Sequence, residues 1–332
     1  MSLSREQLEK YREDGFLLVP DLFRPAELAP VIAELDELVD GIAAMLHERG
    51  HIADTHADKG FATRLAAINR DFPGAAVLAI LRGRLGPALA ELWRSHKLLD
   101  IVEQLIGRDI DGHANWVLRS KTPETSQMTV PWHQDAAYFT PDAEATFIPT
   151  IWIPLVDATR ENGTLQFLRG AHSPPRIYHH DIESQTTANR DSWYLIMDGA
   201  DVAAEEIVTC EAPLGSAILH SNLIPHRSTE NHSNAVRWAV DLRWHAPGTP
   251  PGINIPSVPM RRADEPGLKP DFTAWAGEFE EKWSERNRRD DPEELEFTVD
   301  GTWLARWEGA PKAGPRFMDR ATLRGVLEGA YV

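Results

Sequence analysis

The middle of the chain is built from short apolar or alternating runs. They read NWVLRS, MTVPWH, FIPTIWIPLVD, GTLQFL, EEIVTCEA, SAILHS and AVRWAVDLRWH, and Pro, Gly, Asn or Asp separates one from the next. Runs this short suit strands better than helices, so the pattern predicts an all-β sandwich or barrel.

Helical patterns flank this core. Ser4 with Gln7 has the form of a capping box, and Gly15 ends the short helix that follows, before a strand in FLLVP. From Pro25 to Arg49, Leu28, Val31, Leu35, Val39, Ile42 and Leu46 recur at helical spacing, with Gly50 as the stop. Residues 51–72 read as a polar loop, and helical patterns resume from Pro73 to Ile106, stopped by Gly107. Beyond Met260 the chain is charged and carries Trp275, Trp283, Trp303 and Trp307, which predicts a segment that packs on a domain surface. The expectation is one domain over 1–332: a helical part over 1–107, a β core over about 108–260 and a C-terminal extension over about 261–332.

Composition narrows the partners. A net charge of -17 argues against nucleic acid or an anionic membrane surface, because phosphate binding needs clustered Lys and Arg. The single cysteine, Cys210, excludes an intrachain disulfide and zinc sites built on several thiolates. The first residues lack the apolar core of a signal peptide, and no run reaches the roughly 18 apolar residues of a spanning helix, so a soluble, cytoplasmic protein is expected.

His-x-Asp occurs at His56/Asp58, His133/Asp135 and His179/Asp181. In an extended strand, residues two apart share a face, so imidazole and carboxylate could reach one metal ion together. The first pair lies in a loop-like stretch and the third in a connection without pattern; the second ends an apolar run. A facial-triad iron site needs a second imidazole from another strand, and His220, His226, His232 and His245 are the downstream candidates.

Four blocks in order, SREQLEKYREDGFLLVPDLF, VPWHQDAAYF, WIPLVDATRENGTLQFLRGAHSP and LGSAILHSNLIPHRSTENHSNAVRWAVDLRW, resemble the phytanoyl-CoA dioxygenase family of Fe(II)- and 2-oxoglutarate-dependent oxygenases. The resemblance implies a mainly β fold with flanking helices, its core a double-stranded β-helix (a cupin-like jelly roll). It makes His133, Asp135 and His226 the catalytic iron ligands. It makes Arg237, eleven residues after His226, the partner of the far carboxylate of 2-oxoglutarate, helped by Ser228, with Trp152 and Asn115 beside the cosubstrate. A guanidinium fork matches a carboxylate and keeps its charge, which suits that role.

The implied reaction uses Fe(II), 2-oxoglutarate and O2. It hydroxylates an unactivated carbon and releases succinate and CO2. Related halogenases lack the carboxylate ligand, so Asp135 favours hydroxylation; desaturation, ring formation and epimerisation stay open. A CoA substrate would want a basic cluster, for which Arg119, Lys121, Arg160 and Arg169 are the residues to watch; the acidic balance favours a smaller molecule. His220, His232 and His245 are read as structural, with His245 nearest to facing a substrate. The DATRENG stretch is read as a turn with hairpin geometry at Asn162-Gly163 and no chemistry. Two other readings stay open: a cupin-like metal enzyme without 2-oxoglutarate, and a non-catalytic binding module on the same fold. Oligomeric state, including a homo-oligomer, is left open.

Overall fold

A computed structural model describes residues 2–82, 85–123, 128–183, 194–203, 206–253 and 255–276. Trp283, Trp303 and Trp307 lie outside the described residues.

Helix α1, Arg5–Asp14, starts with the expected box: Gln7 N–H donates to Ser4 Oγ at 3.1 Å, and Ser4 N–H donates to Gln7 Oε1 at 2.8 Å. Gly15 ends it at φ 83°, and a Cβ there would lie 2.5 Å from the His172 ring, so this turn requires glycine on two counts. After β1, Phe16–Val19, helix α2, Pro25–Glu48, buries Leu28, Val31, Leu35, Val39, Ile42 and Leu46. The stretch read as a loop contains a third helix, α3, Phe61–Asp71, which buries Leu65 and Ile68. Its N-cap is Gly60, which has no side chain to cap with, so the usual start signal is missing. The pattern over 73–106 resolves into α4, Ala75–Arg82, α5, Pro87–Trp93, and α6, His96–Ile106. Pro87 and Ser95 mark the restarts.

The strands that follow are β2, Ile110–Gly112, β3, Val117–Lys121, β4, Thr150–Pro154, β5, Leu165–Leu168, and β6, His180–Ile182. Then come β7, Leu195–Met197, β8, Ile207–Cys210, β9, Ala217–His220, β10, His226–Ser228, β11, Arg237–His245, and β12, Val258–Arg261. The larger sheet runs β1-β9-β4-β11-β2-β12, with β3 also on β11; the smaller runs β10-β5-β8. Phe16, Trp152, Ile218 and Ala239 of the first pack against Leu165, Phe167 and Cys210 of the second. The stacked rings of Phe16 and Phe167, 4.4 Å apart, join the two sheets of the jelly roll.

Strand periodicity sorts the residues of β11. Trp238, Val240, Leu242 and Trp244 enter the core shared with the helices, together with Ile151 and Ile153 of β4. The alternate residues Arg237, Ala239, Asp241 and Arg243 face the interior of the roll, so a strand buried on both sides carries its charges inward.

Two local expectations change. The Asn162-Gly163 turn closes no β4–β5 hairpin: β4 pairs with β9 and β11, and β5 with β8 and β10, so the turn carries the chain between sheets. The MTVPWH run forms no strand ladder, and His133 joins only an isolated bridge to His226. Trp275 does pack as expected: it meets Trp93 edge-on at 5.8 Å and donates from Nε1 to Pro256 O at 2.6 Å. No helix among the described residues is long and apolar enough to cross a membrane.

Cys210 is buried in the inter-sheet core, and burial pushes its thiol up to about 12. At pH 8 the thiolate fraction is about one in ten thousand. Native protein is therefore expected to resist an alkylating reagent that labels one thiol per chain once denaturant is added; equal labelling rates in both states would contradict this burial.

Candidate metal centre

His133 and His226 are tied by their own backbones. His133 N–H donates to His226 O at 3.0 Å and His226 N–H to His133 O at 2.9 Å, which brings the two rings within 4.3 Å. Each ring has its Nδ1 against a carbonyl, Pro131 O at 2.9 Å and Ile224 O at 3.0 Å. That hydrogen bond puts the proton on Nδ1 and leaves the Nε2 lone pair free. Burial, and the neighbouring rings of His133 and His220, hold His226 well below the usual imidazole range, so it is neutral and able to ligate.

The third donor arrives differently from the strand geometry expected. The chain turns between His133 and Asp135, and Asp135 opens a short 3-10 helix that ends at Tyr138. Gln134, fully buried between them, fixes the turn: its amide donates to Arg176 O and Leu223 O, and its Oε1 accepts from Tyr178 N–H. His180 Nε2 accepts the Gln134 N–H at 3.1 Å.

The two oxygens of Asp135 have different tasks. Oδ2 accepts a fork from Arg243, Nη2 at 2.8 Å and Nε at 3.1 Å, and a third bond from Thr150 Oγ1 at 3.2 Å. Oδ1 faces the imidazoles, 3.7 Å from His133 Nε2 and 4.0 Å from His226 Nε2. Burial alone would raise this carboxyl, but the Arg243 charge holds it well below the usual carboxylate range. An ionised oxygen and two imidazole lone pairs thus converge, all within 4.8 Å of one another, in the one such group among the described residues. The other His-x-Asp pairs do not assemble a site: His56 Nε2 meets Asp71 at 2.7 Å, and His179 and Asp181 form an exposed pair.

Arg237 lies in the same cavity as His133 and His226. It is 2% exposed, donates from Nε to Gly163 O at 3.2 Å, and has no partner for Nη1 among the described residues. Its guanidinium stands 5.2 Å from the Trp152 ring. Burial and the Arg119 charge lower it to about 10, which still leaves a cation at neutral pH. A buried, half-satisfied guanidinium is the feature an incoming carboxylate would complete.

A family pattern described as Phytanoyl-CoA dioxygenase (PhyH) matches residues 11–239. The chain belongs to the phytanoyl-CoA dioxygenase family. Its relatives include ectoine dioxygenase of Bordetella parapertussis (strain 12822 / ATCC BAA-587 / NCTC 13253), 24% identical over 52% of this chain and 50% of that protein. The chain thus spans about half the length of that curated relative. Phytanoyl-CoA dioxygenase domain-containing protein 1 of Mus musculus is 24% identical over 71% of this chain and 88% of its own. Among solved structures, a non-heme monooxygenase (ThoJ-Ni complex) has the same fold, with a TM-score of 0.54 and 20% identity over 84% of this chain and 96% of that one. So does the epimerase SnoN in complex with Fe3+, alpha ketoglutarate and nogalamycin RO, with a TM-score of 0.50 and 18% identity over 75% and 86%.

Within this family member, Ser228 and Trp152 line the cavity with Arg237, whereas Asn115 is not among its lining residues and instead gives its carbonyl to Arg243 Nη1 at 2.8 Å. His220, not His245, faces the cavity; His245 is bound to Thr249 and Ser257 hydroxyls. Arg243 and Asp241 were not singled out in the sequence. Asp241 Oδ2 accepts from Arg119 at 2.7 Å and lies 3.7 Å from Arg243, so a line of alternating charges runs from the cavity wall to Asp135. The alternation of apolar and charged residues in RWAVDLRWH is the sequence signal that marks them.

Proposed function

We propose that this protein is an Fe(II)- and 2-oxoglutarate-dependent dioxygenase that hydroxylates an unactivated carbon of a small molecule. The observation that carries the reading is a buried His133–Asp135–His226 donor set whose two imidazoles line the cavity where Arg237 Nη1 has no hydrogen-bond partner among the described residues. In it, His133 Nε2, His226 Nε2 and Asp135 Oδ1 hold the iron, and Arg237 with Ser228 takes the far carboxylate of 2-oxoglutarate. Bound iron supplies O2 chemistry coupled to decarboxylation of 2-oxoglutarate to succinate and CO2. The protein's own part is to orient three ligands through Gln134 and Arg243, and to keep the cosubstrate in a buried pocket away from bulk water. Family membership supports both cofactors, as does a structure of the same fold in complex with Fe3+ and alpha ketoglutarate.

A small substrate is favoured over an acyl-CoA by where the basic residues are spent. Arg119 is paired with Asp241, Arg160 lies against Glu211, and Arg169 joins Asp14 and Glu206. Lys121 is buried and donates to Ser228 Oγ and the Thr229 carbonyl, so none of the four joins an exposed cluster for phosphates. The cupin-like alternative without 2-oxoglutarate has no use for a buried Arg237 of this kind.

Succinate release is the direct test. Protein given Fe(II), 2-oxoglutarate and air is expected to form succinate slowly alone and faster with a small-molecule substrate, and acyl-CoA esters are expected to give no such stimulation. Absence of any iron-dependent succinate across a broad substrate panel would sink the oxygenase reading; stimulation by acyl-CoA alone would sink the small-molecule one.

A further inference from the structure

Arg119 is a cavity cation to which the function described above gives no part. It stands on β3 opposite Ala239 of β11. Its neighbour Leu118 enters the core shared with the helices, so strand alternation turns Arg119 into the roll. The other cations that line the cavity are spoken for. Arg237 is assigned to 2-oxoglutarate, Lys121 is 2% exposed, and Arg227 gives Nε to Gln166 Oε1 and lies against the Trp132 ring. The Arg119 side chain, by contrast, is 22% exposed.

Only one edge of its guanidinium is taken. Nε donates to Asp241 Oδ2 at 2.8 Å, and Nη2 lies 2.7 Å from the same oxygen. The other edge, formed by Nη1 and the second N–H of Nη2, has no partner among the described residues. Each such fork of a guanidinium matches the two oxygens of a carboxylate. Asp241 is itself buried and lies 3.7 Å from Arg243, so it anchors Arg119 by one fork and leaves the second for a ligand. Ile80, Met128 and Tyr194 line the same cavity and offer apolar surface to the rest of that ligand.

The charges favour the same group. With iron and cosubstrate bound, Arg119, Arg237, Arg243 and Fe(II) bring five positive charges against four negative ones, from Asp135, Asp241 and 2-oxoglutarate. Lys121 can only add to the excess. A surplus charge in a buried site is costly until a counter-charge joins it.

We propose that Arg119 is a specificity-determining residue that binds a carboxylate of the substrate, so that the substrate is a monocarboxylate with an apolar body. The inference rests on reading the cavity as an Fe(II) and 2-oxoglutarate site.

The test uses hexanoate and hexanamide, which share a body and differ in charge. Calorimetry follows each on the full-length protein loaded with Mn(II) and saturating 2-oxoglutarate, so that Arg237 is already occupied. Hexanoate is expected to bind at least about tenfold more tightly than hexanamide, the lower end of the range for hydrogen bonds to a charged group. Arg119→Gln should remove that preference and change 2-oxoglutarate affinity far less. Arg119→Lys keeps a charge for Asp241 but has no second fork, and it serves if the glutamine variant does not fold; it should melt with the parent and lose most of the preference. A merely structural role would weaken acid and amide together. Equal binding of acid and amide by the unsubstituted protein, binding of neither, or a preference that survives in both variants would overturn the proposal. Parallel loss of hexanoate and 2-oxoglutarate binding would overturn it too, by moving Arg119 to the cosubstrate. If the unsubstituted protein fails to bind 2-oxoglutarate, the oxygenase reading itself falls and takes this inference with it.

Discussion

Arg243→Leu is expected to lower the melting temperature of the metal-free protein by about 4–7 °C and to abolish tight Fe(II) binding. The guanidinium makes a bidentate bond to Asp135 Oδ2, lies 3.7 Å from Asp241, and is itself 2% exposed. Its removal leaves a buried carboxylate with only Thr150 Oγ1 as a remaining donor to Oδ2. Breaking a buried ion pair from one side costs about 3–5 kcal/mol, a large share of a typical total stability of about 5–15 kcal/mol. Arg243→Lys keeps the charge but loses the fork, so it should recover stability better than it recovers metal affinity. Thermal melts and an Fe(II) titration read both effects. A leucine variant that melts with the parent and binds iron equally well would show that Asp135 does not depend on Arg243.

Arg237→Met has effects of opposite sign. Binding of 2-oxoglutarate is expected to weaken by at least about thirtyfold, as when one partner of a buried charge pair is truncated. Folding stability should hold or rise, because Arg237 spends its buried charge on one neutral carbonyl, Gly163 O, and leaves Nη1 unbonded. Iron affinity should not change, since the three metal-facing atoms belong to other residues. Comparing melts, Fe(II) titrations and 2-oxoglutarate titrations of the variant separates these three expectations. Unchanged 2-oxoglutarate affinity would remove Arg237 from the site; a large loss of stability would mean that it serves the fold.

These two arginines mark how far the sequence could be read. Helix α1 was legible because Ser4 and Gln7 write both halves of the cap, whereas α3 was not, because Gly60 caps with backbone alone. The strands were legible from short runs and their breaks, and their partners were not: the Asn162-Gly163 turn has hairpin chemistry yet joins strands of different sheets. That choice is made by packing across the roll, which a local pattern does not contain. His133, Asp135, His226 and Arg237 came from ordered blocks resembling a family, and the structure brings all four to one cavity region. A strand would put His133 and Asp135 on one face, but a buried Gln134 and a helical turn bring the two side chains together instead.

Arg243 was readable in principle. A strand that alternates Trp238, Val240, Leu242 and Trp244 with Arg237, Asp241 and Arg243 cannot leave its charges in solvent if both faces are covered, so they must pair with one another or with a ligand. What the strand alone could not say is which charge goes unpaired. The three-dimensional arrangement assigns Arg119 to Asp241 and Arg243 to Asp135, and leaves Arg237 without a carboxylate partner among the described residues.

Iron and cosubstrate binding can be tested without a substrate: add Fe(II) to metal-free protein without oxygen, titrate 2-oxoglutarate, and follow the visible charge-transfer band of a chelated iron complex. A saturable band is expected in the unsubstituted protein, no band in Asp135→Ala, and a band in Arg237→Met only at much higher 2-oxoglutarate. No band from well-folded unsubstituted protein, or an undiminished one in Asp135→Ala, would contradict the proposed site.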